Sequence, residues 1–255
     1  MSRVVACFKW VTDESQIVVR PDLTVDFSAA SKIISNYDRQ VIEQAVLTAK
    51  TLGATATGLT FADSAGSASL KEALSRGLDD CFFVNEGDAL SPDGSSTAKG
   101  LAAQIKKLDD VKLVICGEGA SDTLARQTAS RIGAFLDLPV VTAVAAMRVE
   151  GDELVMDRKL ADCTETVRVA MPAVVSVLPE INQPPLPGLK AIMAAKKKPA
   201  TETPLAELPC DAAPKARLVS EQGYIMVRKN VMLSEGEASE KVDRLYESLK
   251  KEGVI

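Results

Sequence analysis

The chain has no histidine among its 255 residues. Without an imidazole it cannot build a Ser-His-Asp triad, a Cys–His pair or a metal site that uses histidine ligands. Any redox or catalytic step that involves this chain is therefore expected to depend on a bound cofactor. Aromatic residues are also scarce, at 4% of the chain, and the net charge is −5. Because no basic stripe is interleaved with aromatic side chains, we expect no nucleic acid among the partners.

Cysteine is present but scattered along the chain. No CxxC pair occurs and the total is odd, which argues against a zinc site, an iron–sulfur site and a disulfide framework. We therefore predict no bound metal, and we expect the cysteines in apolar runs to act as small buried hydrophobic side chains. The five residues are Cys7, Cys81, Cys116, Cys163 and Cys210.

Long hydrophobic runs are missing as well. No uninterrupted apolar stretch is long enough to cross a bilayer, and the start, MSRVVACFKW, leads directly into a strand-like run. We therefore expect a cytoplasmic protein without membrane insertion. The hydrophobic content of 46% is enough to form a sizeable core.

The most informative stretch covers residues 111–131, VKLVICGEGASDTLARQTASR. An apolar run predicts a buried strand, which stops at the small-residue turn 117–120. Ser121 and Asp122 are good N-caps, so a helix is predicted to begin directly after the turn. A strand, a small-residue turn and a helix start together form a suitable site for an anion such as phosphate. An ordinary βα turn remains the alternative, because GxG is short and common.

The first half of the chain alternates predicted strands with predicted helices. This pattern is typical of an α/β fold with a doubly wound, mainly parallel sheet, in which ligands bind beyond the carboxyl ends of the strands. We expect segments 7–9, 35–38, 60–61 and 117–128 to converge there, and their small and polar residues suit an adenine nucleotide. The predicted strands are residues 3–10, 54–61, 80–85 and 111–117, with a hairpin at 17–27; the predicted helices are residues 39–52 (N-cap Asp38, stop at Gly53), 67–76, 93–108 and one ending at 137.

The second half has a different pattern. Four further strands are expected to extend the sheet with antiparallel partners, and a Pro-rich segment, a short helix, an extended arm and a final amphipathic helix follow. We predict that the apolar stripe of the last helix docks on another subunit, with packing on its own domain as the alternative. The predicted strands are 140–149, 153–160, 164–170 and 173–178, and the predicted helices are 189–195 and 236–252. The predicted division is a nucleotide-binding domain, 1–182, a recognition loop with an extended arm, 183–235, and a C-terminal docking helix, 236–255.

Several strings of the sequence resemble a known family over about the first 200 residues. The chain resembles the β subunit of the electron transfer flavoproteins, in the branch that contains the FixA-like proteins. This resemblance agrees with a sheet of the kind found in adenine-nucleotide α-hydrolases. The strings that carry it are CFKWVTDE, SNYDRQVIEQA, LKEALSRGLDD, GEGASDTLARQ and MPAVVSVLPEINQPPLPGLKAIMAAKKKP.

The resemblance implies an electron-carrier subunit that is redox-active only in complex with an α subunit. The α subunit of the family carries an FAD, and the β subunit holds an adenine nucleotide itself. That nucleotide is AMP, a structural filler, in ordinary members. In bifurcating members it is a second FAD, which accepts a hydride from NADH. The resemblance leaves open which of the two applies here and which dehydrogenase is the partner.

The resemblance also assigns residues. In relatives an aromatic residue at the position of Tyr37 faces the α-subunit flavin, and three apolar residues anchor an acyl-CoA dehydrogenase-like or quinone-reductase-type partner. Leu124 and Ala129 depart from the acidic residue and the glycine that many members have there, which leaves the choice between AMP and FAD open. The implied partner-binding residues are Leu189, Ile192 and Met193. The implied nucleotide-binding residues are Cys7, Ser35, Asn36, Tyr37, Asp38, Phe61, Gly117, Glu118, Gly119, Ala120, Ser121, Asp122, Thr123, Leu124, Ala125, Arg126, Gln127 and Thr128.

Two other functions share the predicted sheet. An ATP-using enzyme of the α-hydrolase type would need a phosphate loop such as SGGxDS after the first strand, and residues 7–10, CFKW, do not resemble it. A nucleotide-sensing module of the universal-stress type would not account for the long Pro-rich arm and the final helix. The sequence therefore favours the electron-transfer subunit.

Overall fold

A nine-stranded sheet lies at the centre of the computed structural model, which describes residues 1–87 and 93–255. The strands are β1 (Arg3–Cys7), β2 (Trp10–Thr12), β3 (Val18–Val19), β4 (Val25–Asp26), β5 (Lys32–Ile34), β6 (Thr55–Ala62), β7 (Asp80–Asn85), β8 (Val111–Gly117), β9 (Val140–Glu150), β10 (Glu153–Lys159), β11 (Thr164–Ala170), β12 (Ala173–Val177) and β13 (Ala200–Pro204). The helices are α1 (Asn36–Leu52), α2 (Ser69–Ser75), α3 (Gly94–Lys106), α4 (Thr128–Leu136), α5 (Leu189–Ala195) and α6 (Ala238–Lys251).

The main sheet has the order β11-β10-β9-β12-β8-β1-β6-β7-β13. Strands from β9 through β12, β8, β1, β6 and β7 to β13 are parallel, and β10 and β11 add antiparallel pairs at one side. In chain order, β6 pairs with one side of β1 and β7 pairs with β6, whereas β8 pairs with the other side of β1. The carboxyl ends of β1 and β8 therefore form the switch point at which such sheets bind ligands.

Both faces of the sheet are covered, as the apolar runs predict. In β1, Val4 and Ala6 pack in one buried cluster with Val41 of α1, whereas Val5 packs in the other with Leu101 of α3. Alternate residues of one strand thus belong to opposite cores. The predicted α/β fold with a doubly wound, mainly parallel sheet is confirmed.

Several predicted boundaries are wrong. The first strand ends at Cys7, because the chain leaves the sheet to pair β2 with β5. Asp38 does not cap α1: the helix begins at Asn36 after Ser35, and Asp38 is buried in its first turn. The stop at Gly53 is confirmed, since this residue has a φ of 61° and closes the helix.

Two strands lie where the sequence pattern did not place them. Ala173–Val177 was expected among antiparallel partners, but it is a fully buried strand, parallel to both β8 and β9. Buried parallel strands have nearly continuous apolar sequences, and the sequence of this strand, AVVSV, agrees with that pattern. Residues 200–204 were predicted as part of an extended arm, but they pair in parallel with β7 at the sheet edge.

The C-terminal part contains few buried residues. Its helix, α6, has the predicted apolar stripe, and no residue of it is buried against the described part of the chain. The segment before it contacts the β3–β4 hairpin through a hydrogen bond from Gly223 N to Leu23 O. Docking of α6 on another subunit remains a prediction. Within the described residues, no helix is both long and apolar enough to cross a membrane.

Candidate functional site

A cavity of about 450 Å³ lies at the switch point, beyond the carboxyl ends of four parallel strands. Its volume is in the range of small-molecule sites. The loops after β1, β6, β7 and β8, together with the starts of α3 and α4, form its wall. The lining residues are Cys7, Phe8, Lys9, Trp10, Lys32, Asp38, Phe61, Ala62, Asp63, Glu86, Asp93, Gly94, Thr97, Leu101, Cys116, Gly117, Glu118, Gly119, Ala120, Thr123, Ala125, Arg126, Gln127 and Thr128.

The turn after β8 is tightly packed. A Cβ on Gly117 would lie 2.7 Å from Asp38 Oδ1 and 2.8 Å from the carbonyl oxygen of Gly119, so only glycine fits without a shift. Glu118 is held by hydrogen bonds to two strands. Its backbone N–H donates to Val177 O of β12 at 3.0 Å, and its carboxylate accepts from Ala143 N of β9 at 2.9 Å. The turn is therefore fixed to β12 and to β9 beyond it.

The helix after this turn begins later than predicted. Residues 120–127 form an irregular loop, with φ of 48° at Leu124 and 54° at Arg126, and α4 begins only at Thr128. A positive φ interrupts a right-handed helix, which explains why Ser121 and Asp122 do not cap one. The anion site predicted from a helix start at 121 is thus moved seven residues along the chain.

The start of α4 has the features of an anion site at its new position. No side chain caps this helix among the described residues, so its first N–H groups are available. Gln127 and Thr128 line the cavity beside Arg126, which is exposed and forms no ion pair within residues 1–87 and 93–255. A guanidinium next to a helix N-terminus suits a phosphate group.

Two contacts attach the irregular loop to the rest of the site, and a third lies within it. Lys9 Nζ lies 2.6 Å from Asp122 Oδ2, which joins the loop to the end of β1. Ser121 N donates to Ser35 Oγ at 3.3 Å, and Leu124 N donates to Ala120 O at 3.0 Å. The loop is therefore ordered by tertiary contacts rather than by helix formation.

Asp38 is a buried acid in the wall of the cavity, with only 4% of its surface exposed. Its Oδ2 accepts a hydrogen bond from Lys9 N at 2.8 Å. Burial raises the pKa of Asp38 to about 8, although the Lys9 hydrogen bond and charge act in the opposite direction. The carboxyl is therefore mostly neutral near pH 7.

The end of the cavity at β6 and β7 is lined by Phe61 and Ala62 and by two acids, Asp63 and Glu86. The Phe61 ring is buried there, and Glu86 follows the end of β7. Burial, together with the charge of Asp63, raises the pKa of Glu86 to about 7. The Oε2 atom of Glu86 is enclosed and has no hydrogen-bond partner within the described chain.

The structure brings most, but not all, of the predicted nucleotide-binding residues to the cavity wall. Ser35 and Ser121 lie behind the wall and hold the loop through their mutual hydrogen bond. Asp122 holds Lys9 from outside the wall. The predicted residues outside the lining are Ser35, Asn36, Tyr37, Ser121, Asp122 and Leu124.

The sequence prediction did not include Lys32, Glu86 or the start of α3 in the site. The predicted strand 80–85 and the predicted helix 93–108 both have an end at this edge of a parallel sheet. That topology could have indicated Glu86, Asp93 and Gly94 as neighbours of the ligand.

The predicted partner-binding residues lie elsewhere. Leu189, Ile192 and Met193 are exposed on α5, with Leu189 77% exposed, and none of them lines the cavity. The helix itself is held by the buried Ala195 and by Lys198 Nζ, which donates to the carbonyl oxygens of Leu74 and Leu78. The three side chains therefore form an exposed apolar patch on a fixed support.

A comparison with protein families gives one match for the chain. The model of the electron transfer flavoprotein domain matches residues 22–208. The matched region includes the turn 117–120, the loop after it, Glu86 and α5, whereas Cys7 and Lys9 precede it.

Proposed function

Because the chain belongs to the electron transfer flavoprotein domain family, we propose that it is the β subunit of a heterodimeric electron transfer flavoprotein, of the FixA-like branch. Its cavity would bind an adenine nucleotide, AMP or FAD. The observation that carries the proposal is the cavity at the switch point of the sheet, where a helix N-terminus and Arg126 lie at one end, and Glu86 and the buried Phe61 line the other.

The residues of the cavity fit such a ligand. The start of α4 and Arg126 would hold a phosphate, and Gly117 lets the turn pack against Asp38 so that the backbone of the turn lines the cavity. Of the acids near the phosphate, Asp38 is mostly neutral, and Glu118 has its carboxylate bound by Ala143 N and Ser176 Oγ. A negatively charged ligand therefore meets less negative charge there than the number of acids indicates.

The role of this chain in electron transfer would be to bind, orient and dock. The flavin of the α subunit supplies the electron-carrying chemistry when bound. Tyr37, half-buried beside Gly117, would face that flavin, and Leu189, Ile192 and Met193 would contact the dehydrogenase partner. A compact cluster of exposed apolar side chains is the usual form of a binding hot spot.

The first test is a cofactor measurement on the complex. The chain is co-expressed with its α partner, the complex is purified and denatured, and FAD and AMP are quantified per heterodimer. One adenine nucleotide is expected in addition to the FAD of the α subunit. Two FAD without AMP would favour NADH-dependent bifurcation, and one FAD with one AMP would favour a structural nucleotide. An intact complex without the additional nucleotide would contradict the proposed site.

A pair of glycine variants makes the test specific for this cavity. Gly117→Val places a side chain against Asp38 and the Gly119 carbonyl oxygen, so the additional nucleotide should be lost while the α-subunit FAD is retained. Gly188→Val is the matched control, because a Cβ there meets nothing within 4 Å. It should retain both nucleotides.

A further inference from the structure

The cavity has a direction set by the order of the strands. Its phosphate-binding end lies after β8, at Arg126 and the start of α4. From there the sheet continues through β1 and β6 to β7, three strand spacings of about 4.8 Å, or roughly 14 Å in all. This span is comparable to the length of a nucleoside monophosphate. A nucleotide with its phosphate at α4 would therefore place its base near the end of β7.

Glu86 lies at this opposite end. It directly follows β7, lines the cavity, and is separated from the β8 side by the apolar ring of Phe61 on β6. Phe61 lines the cavity wall with its ring buried against Gly100 of α3. Glu86 and Asp63 are then the carboxyl groups at the base end of the cavity.

Asp63 at this end and Asp93 before α3 already have partners. Asp63 Oδ2 lies 3.3 Å from Lys32 Nζ. Asp93 accepts from the backbone N–H groups of Ser95, Ser96, Lys215 and Ala216. In contrast, Glu86 Oε2 has no partner among the described residues. An enclosed carboxyl oxygen without a donor is costly, and rotation of the Glu86 side chain toward a ligand donor in the cavity would remove that cost.

We propose that Glu86 recognises the exocyclic amino group of the bound adenine and so selects a 6-aminopurine over a 6-oxopurine. The inference rests on the proposed nucleotide binding and names the base-reading residue of that site. The amino group would donate to a carboxyl oxygen of Glu86. In a 6-oxopurine an oxygen acceptor takes the place of that donor, so two acceptors would face each other.

The protonation state of Glu86 supports either form of this contact. Its raised pKa of about 7 keeps both forms populated near neutral pH. The ionised carboxylate accepts from the amino group through either oxygen. The neutral acid accepts through its carbonyl oxygen and can donate its proton to a ring nitrogen, as an amide does in two-point contacts to adenine.

The test compares AMP with IMP, which differ at the 6-position. The full-length chain is freed of nucleotide, and its affinity for each is measured by isothermal titration calorimetry. We expect AMP to bind at least about tenfold more tightly than IMP. Glu86→Ala should reduce this ratio to about threefold or less, whereas Glu86→Gln should preserve a preference for AMP, because the amide oxygen still accepts.

Asp63→Asn is the matched control, since Asp63 lines the same end of the cavity and is paired with Lys32. It should leave the AMP-to-IMP ratio within about twofold of the wild-type value. Equal affinity of the wild-type chain for AMP and IMP would overturn the assignment of Glu86 and leave the proposed function standing. An AMP-to-IMP affinity ratio that is unchanged in Glu86→Ala would also overturn the assignment of Glu86 and leave the proposed function standing. Absence of binding of AMP, IMP and FAD would overturn both.

Discussion

Burial changes the chemistry of Asp38, which would be charged on the surface of a protein. Its folded-state pKa is raised to about 8 by desolvation, whereas an unfolded chain releases the proton near pH 4. Between these values the folded state binds the extra proton. The free energy of unfolding therefore falls as the pH rises, and the loss is complete above about pH 8.

Asp38→Asn should remove this pH dependence. Asparagine has no proton to lose and can still accept from Lys9 N. Relative to the wild-type chain, the variant should gain stability by up to about 1.4 kcal/mol for each pH unit between about 5 and 8. The measurement is urea unfolding of both proteins at several pH values across that range.

Glu43→Gln provides the control on the same helix. Glu43 has a pKa raised by partial burial, but it lies outside the cavity lining. Its variant should change the pH profile much less than Asp38→Asn. Parallel stability profiles of wild type and Asp38→Asn would show that Asp38 is ionised in the folded chain.

At the scale of single residues, the sequence predicted that a residue has a structural role more accurately than it predicted which atoms the residue contacts. Asp38 was predicted as an N-cap because aspartate is a common one. The helix begins three residues earlier than predicted, and the carboxyl turns inward to the end of β1, which only the tertiary fold determines. Gly53 was predictable because its requirement, a positive φ, is local, whereas the closest contact of Gly117 is with Asp38, which is distant in sequence. Glu86 follows a predicted strand, but its neighbours are distant in sequence.

Among the elements, α4 holds the phosphate-binding end of the proposed site and depends on a close contact with β9. A Cβ on Gly133 would lie 2.1 Å from Val140 Cγ2 and 3.3 Å from Leu138 O. Gly133→Ala should therefore destabilise the chain by about 1–3 kcal/mol through overpacking. This cost exceeds the gain of about 1 kcal/mol that alanine offers in a helix.

Chemical denaturation of Gly133→Ala and Gly94→Ala would separate these two effects. Gly94 is the first residue of α3, and a Cβ there meets nothing closer than 3.8 Å. Gly94→Ala should have a stability within about 0.5 kcal/mol of wild type. If Gly133→Ala were as stable as this control, the packing of α4 on β9 would be looser than the contact distances indicate.

Element prediction was accurate where the pattern is set by burial. Strand 80–85 was predicted with its observed bounds, because its apolar run ends at polar residues on both sides. The start of α4 was predicted incorrectly. The N-cap signal at Ser121 is local, whereas Lys9 and Ser35, which hold the loop, come from distant parts of the chain. Strand β13 was also missed, because ATETP lacks an apolar run and gains its strand geometry only by pairing with β7.

At the scale of the whole molecule, the folded domain ends well before the chain does. Beyond residue 216 the described chain is almost entirely exposed, and α6 presents an apolar stripe that includes Val242, Leu245 and Leu249. An amphipathic helix gains most of its stability from packing of its apolar face. Because the proposed function requires an α subunit, we propose that this subunit covers the stripe.

Two lysine substitutions on α6 test this proposal. Leu245 lies in the stripe and is 48% exposed, whereas Glu247 is on the opposite side of the helix. Neither side chain is buried in the described chain, so both variants should unfold at the wild-type denaturant concentration. Leu245→Lys should weaken binding to the α subunit at least about tenfold, because it places a charge in an apolar contact.

Glu247→Lys should bind the α subunit within about threefold of wild type, since Glu247 lies on the side of the helix that faces away from the stripe. The affinities are measured by calorimetry with the purified α subunit, and unfolding of each isolated chain is measured in parallel. Equal affinities for the two variants would mean that the stripe is not the contact surface. A loss of stability confined to Leu245→Lys would instead show that α6 packs on its own domain in solution.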